Sequence, residues 1–87
     1  MEKFVKKLGI KKIGHYEGNT YIVEFEDSDE YSRAYTVLDS SNLVDLDEET
    51  VLVSENSSML TYYATNYECT LIGNFDKDVY RLNVKEI

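Results

Sequence analysis

Residues 26–41 read EDSDEYSRAYTVLDSS, and the choice between helix and strand here decides the fold class. Tyr31, Ala34, Tyr35 and Leu38 recur at intervals of three and four, the period at which one face of a helix returns to the same side. Asp27 followed three residues later by Glu30 resembles a capping box, with Ser28 as a rival N-cap. The opposing reading is a strand paired with residues 20–26, favoured by the Tyr, Thr and Val content. Period outweighs propensity, and the spacing predicts an amphipathic helix near residues 28–40.

On either side of this helix the pattern is extended. Residues 10–16 and 20–26 flank Glu17, Gly18 and Asn19, a sequence suited to a tight hairpin turn. In the second strand Tyr21, Val23 and Phe25 should face the core, while the carboxylates of Glu24 and Glu26 face water. Residues 2–8, EKFVKKL, place Phe4, Val5 and Leu8 on one side of a short helix that stops at Gly9. Beyond the acidic, loop-like NLVDLDEET (42–50), residues 51–54, 59–65, 67–75 and 79–87 are rich in β-branched and aromatic side chains. Turn clusters at 54–58 and 74–78 separate them, the second closing a hairpin from Leu71 to Leu82, so the C-terminal half reads as an antiparallel meander. The expected fold is α+β: one small domain over residues 1–87, with an antiparallel sheet of about five to six strands, one main helix and a short N-terminal helix.

Composition removes many chemistries. With 43% apolar and 30% charged residues the chain has material for a core, which excludes a disordered tail, and its charge density excludes a membrane span. Cys69 is the only cysteine and His15 the only histidine, so no intrachain disulfide can form and a Cys/His zinc site lacks ligands. Cys69 alternates with Tyr67 and Leu71 and is expected as a small buried hydrophobe, with His15 at the surface of the first hairpin. The glycines at 9, 14, 18 and 73 are too scattered to cradle a phosphate. Asp45, Asp47 and Glu49 have the alternate spacing of a calcium loop, without its glycine at the sixth position or its glutamate at the twelfth. No catalytic residue, cofactor or metal is expected. The lysine- and glycine-interrupted N-terminus does not read as an export signal, which makes the cytoplasm the expected compartment.

Charge is the most pronounced feature. A net charge of -8 argues against direct binding to nucleic acid or to an anionic membrane. Five lysines against Glu2 give the first fourteen residues +4, leaving -12 for residues 15–87. Residues 24–49 hold ten acids against the lone Arg33. Alternate carboxylates on an extended segment sit roughly 6.6 Å apart, a spacing that approximates a phosphate backbone. Glu24, Glu26, Asp27, Asp29, Glu30, Asp45, Asp47, Glu48 and Glu49 are therefore candidate partner-binding residues, directed at a protein with a basic nucleic-acid-binding groove. Eight tyrosines with no tryptophan add a second feature. Tyr63 and Tyr67 are candidate interface anchors, whereas Tyr21, Tyr35 and Tyr80 are expected in the core.

In size, acidity, α+β pattern and absence of catalytic equipment the chain resembles, as a class, phage-encoded inhibitors of host nucleic-acid enzymes, among them anti-restriction and anti-CRISPR proteins. The resemblance is compositional and implies a non-enzymatic, DNA- or RNA-mimicking inhibitor acting in the host cytoplasm. The alternative is a small structural or regulatory interaction module, self-associating through an exposed strand edge, its acids serving only solubility. Monomer and homodimer are both compatible with the sequence.

Overall fold

The computed structural model describes residues 2–39, 51–56, 58–64 and 66–87. The chain opens with α1 (Glu2–Lys7), and the amides of Leu8 and Gly9 close back onto the carbonyls of Phe4, Val5 and Lys6. A hairpin follows, β1 (His15–Glu17) and β2 (Thr20–Phe25), joined by Gly18 and Asn19. Gly18 has φ of 61°, the positive value that the first loop position of a type II′ turn requires and that glycine adopts without strain. Upstream the ladder stops, because the Gly14 amide donates to the Tyr21 hydroxyl at 2.8 Å instead of to a strand carbonyl. Residues 10–14, expected as strand, are irregular for that reason.

The decisive stretch is helical: α2 spans Ser28–Asp39. Asp27, not Ser28, is its N-cap, with Oδ1 accepting the amides of Asp29 and Glu30 at 3.1 Å each. Glu30 reaches back to accept the Glu26 amide at 3.0 Å, one residue further than a standard capping box reaches. The buried stripe is Ala34 and Leu38, with Tyr31 and Val37 packed against the core. Tyr35, expected inside, is 39% exposed. Successive helical residues turn by about 100°, so Tyr35 points about 100° away from Ala34, while Val37 lies only about 60° to the other side.

Strands β3 (Val51–Glu55), β4 (Met59–Tyr63), β5 (Tyr67–Asn74) and β6 (Val79–Glu86) form the meander, with Leu71 opposite Leu82. One antiparallel sheet results, in the order β1-β2-β6-β5-β4-β3. The join is β2 against β6, which sets Val23 opposite Leu82 and Phe25 opposite Tyr80. Both helices cover the same face. Beneath them Val23, Leu71, Leu82 and Val84 are fully enclosed, Cys69 is buried, and the Tyr62 hydroxyl donates to Asp39 Oδ1 at 3.0 Å. Burial and that bond to Asp39 push the Tyr62 hydroxyl well above its ordinary pKa. At Gly73 a Cβ would come within 3.0 Å of the Tyr31 ring, so the missing side chain lets that ring lie on the sheet beside Phe75 and Tyr80.

The opposite face of the sheet carries no helix among the described residues. Ile22, Asn83, Thr70, Thr61 and Ser54 run across its middle in register. Glu24, Arg81, Ile72 and Met59 form the row on one side, and Thr20, Lys85, Glu68, Tyr63 and Val51 the row on the other. No described helix is long and apolar enough to cross a membrane.

Candidate carboxylate surface

The path of the chain from β2 into α2 gathers the first group of acids. Glu24 is the last outward-facing residue of β2, and Glu26 and Asp27 form the corner. Asp29 and Glu30 lie in the first turn of α2, where the positive end of the helix dipole favours negative charge. Glu24, Glu26, Asp27 and Asp29 are exposed and Glu30 is half-buried.

They are not chemically equivalent. Asp27 and Glu30 are engaged in capping, and Glu26 Oε1 pairs with Lys12 Nζ at 3.0 Å. That ion pair joins two solvated side chains and contributes little to stability. Glu24 faces Arg81 across the β2–β6 ladder without forming an ion pair. Asp29 makes no side-chain hydrogen bond or ion pair among the described residues. Glu24, projecting from the helix-free face, and Asp29, on α2 over the opposite face, are thus the carboxylates of this end most available to a partner.

The fold adds acids that reading along the chain missed. Because Phe25 pairs with Tyr80, the turn Phe75–Asp78 lies beside the β2–α2 corner and brings exposed Asp76 and Asp78 to it. Tyr80 ties the two segments together. Its hydroxyl lies near Asp78 and Ser28, and burial, then Asp78, push its pKa up, with Asp27 adding to the rise. The turn is built for this position: Asn74 Oδ1 accepts the Lys77 amide at 3.1 Å, and Asp78 takes φ of 55°, which a short polar side chain tolerates. The sequence signal was present as alternate acids in a hairpin turn, but its proximity to residues 24–30 depends on a strand pairing between distant segments. Among the described residues, Lys11, Arg33, Lys77 and Arg81 are cations of this end besides Lys12.

The tyrosine candidates lie elsewhere. Tyr63 is 45% exposed, on the helix-free face, but from Glu24 it is three strand spacings across and four residues along, roughly 14 Å and 13 Å. Tyr67 packs on Phe4 at a ring separation of 4.4 Å and fills the gap between α1 and the sheet. The structure therefore does not bring Tyr63 or Tyr67 to the carboxylate corner. Asp45, Asp47, Glu48 and Glu49, and with them the calcium-like spacing, lie outside the described residues. Among the described residues no three His, Cys, Asp or Glu side chains are placed to hold a metal ion together.

Comparison with protein-family models, with curated proteins and with solved structures gives no match for this chain.

Proposed function

We propose that the chain is a non-enzymatic protein-binding module, acting in the cytoplasm, that presents carboxylates to the basic groove of a nucleic-acid-processing protein and so competes with nucleic acid for it. The observation that carries this reading is the convergence of two acidic segments remote in sequence, residues 24–30 and 76–78, at one end of the sheet. Anions fixed on a rigid strand, a capped helix and a tight turn are preorganised, so cationic side chains can grip them with little ordering cost on this side. Long-range attraction should speed association and weaken as salt rises.

The test neutralises acids that do not hold the fold: Glu24→Gln, Asp29→Asn and Asp76→Asn together. Immobilised wild-type and variant proteins are exposed to lysate from the source cell or its host. The reading expects the wild type to retain a nucleic-acid-binding protein that added duplex DNA or RNA displaces, and the variant to lose it. Equal retention by both, or retention that nucleic acid does not disturb, refutes it.

One observation favours self-association as a second reading. Val51, Leu52 and Val53 are 57%, 40% and 47% exposed on β3, which among the described residues is an edge strand paired only with β4. An exposed apolar edge without lysine or proline is a template for strand addition, and here a bulge between Leu52 and Ser54 interrupts its regular pairing. Sedimentation decides: a dimer that Val53→Lys abolishes supports this reading, and a monomer at all concentrations removes it.

A further inference from the structure

A cleft of about 200 Å³ lies between the segment that follows α1 and the first turns of α2. It borders the carboxylate surface, sharing Glu30 with it, and is remote from the β3 edge. Its floor is apolar: Leu8, Ile10, Phe25 and Ala34, each buried. Its rim is polar and mostly cationic, formed by Lys11, Lys12, Arg33 and Glu30. This is an unusual concentration of positive charge for a protein of net charge -8.

The rim charges are not equally engaged. Lys12 already pairs with Glu26, and the Glu30 carboxylate already accepts the Glu26 amide. Arg33 directs only Nε, toward the Asp29 carbonyl at 3.4 Å. Lys11 and the terminal guanidinium nitrogens of Arg33 have no carboxylate partner among the described residues. Two uncommitted cations therefore border a preformed apolar floor, a combination that suits a ligand with an apolar body and an anionic head. An apolar cavity of about 150 Å³ is enough for a benzene ring, so this volume admits a single ring or short chain with its charged group at the rim.

From this arrangement we infer that the cleft binds a small organic monoester or acid: an aryl or short alkyl group on Leu8, Ile10, Phe25 and Ala34, with its phosphate or carboxylate held between Lys11 and Arg33. The inference does not depend on the carboxylate surface, and either can fail alone.

Amide chemical shifts of the labelled full-length protein are followed during titration with four probes: phenyl phosphate, benzoate, inorganic phosphate and benzyl alcohol. Saturable shifts at Gly9, Lys11 and Ala34 are expected with phenyl phosphate or benzoate, and which of the two binds more tightly identifies the head group. Inorganic phosphate, lacking the ring, and benzyl alcohol, lacking the charge, should each bind at least about tenfold more weakly, the equivalent of one charge-assisted contact or one buried ring face. Both cations are exposed, so the Lys11→Gln/Arg33→Gln variant should melt with the wild type and bind the aryl anion at least about tenfold more weakly. The inference is overturned if neither aryl anion gives saturable shifts, if inorganic phosphate binds as well as phenyl phosphate, or if the variant binds unchanged.

Discussion

Replacing Asp27 separates two roles that one carboxylate could serve, holding α2 and meeting a partner. Its Oδ1 accepts two amides at 3.1 Å, those of Asp29 and Glu30, and no other side chain among the described residues accepts either. Asp27→Ala leaves both amides to water and should cost about 1 kcal/mol, as for other N-cap deletions. In a chain of this size that lowers Tm by about 4–8 °C. Asp27→Asn keeps the acceptor and removes the charge, so it loses only the interaction with the helix dipole, less than about 1 kcal/mol. That loss is further offset by relief from neighbouring Glu26, Asp29 and Asp78. Thermal unfolding at low and high salt is the assay: the Asp27→Ala deficit should persist at high salt, because a hydrogen bond and not a long-range charge is lost. Equal Tm for Asp27→Ala and wild type, or equal losses for Ala and Asn, would refute the assignment of Asp27 as the cap. If both hold, Asp27→Asn becomes a folded protein with one carboxylate fewer at the proposed surface.

Further outcomes follow from the core. Leu82 is fully buried between Val23 and Leu71, and Leu82→Ala should cost about 2–5 kcal/mol by chemical denaturation, a large share of the stability of so small a domain. Gly73→Ala forces a Cβ to 3.0 Å from the Tyr31 ring, so it should displace Tyr31 from Phe75 and Tyr80 and destabilise by about 1–3 kcal/mol, read as a lower Tm and altered aromatic circular dichroism. The raised Tyr62 pKa sets an alkaline limit. Its stabilising contribution is complete below the unfolded tyrosine pKa of about 10 and is lost as pH rises from there toward the folded value. Wild type should therefore lose stability more steeply than Tyr62→Phe above that pH, and parallel curves would count against the Tyr62–Asp39 bond.

Local features were legible in the sequence because they depend on neighbours in the chain. The period of Ala34 and Leu38, the cap at Asp27, the turn at Gly18 and the pairing of Leu71 with Leu82 all follow from short-range rules. Tyr35 was misplaced because a spacing of three and four admits two adjacent stripes, and the sheet beneath α2 selected the one containing Val37. The start of β1 was misplaced because the Tyr21 hydroxyl captures the Gly14 amide, a side-chain interaction that periodicity does not encode. The β2–β6 pairing was illegible for a different reason: it joins strands separated by most of the chain, and alternating hydrophobic patterns alone do not choose among partners. The candidate surface inherits that limit. Counting charge along residues 24–49 found Glu24 and Asp29 but could not see Asp76 and Asp78 beside them. Nor could it see that Asp27 and Glu30 hold the helix, or that Tyr67 fills the space under Phe4.

The central claim, that carboxylates at the β2–α2 corner and the Phe75–Asp78 turn are gripped by a cationic protein surface, is tested most directly by salt. Affinity for the captured nucleic-acid-binding protein should be measured over a range of sodium chloride concentrations for wild type and for the Glu24→Gln/Asp29→Asn/Asp76→Asn variant. A steep loss of affinity with salt in the wild type, and a clearly shallower one in the variant, is the predicted result. Superimposable salt curves for the two proteins would contradict it.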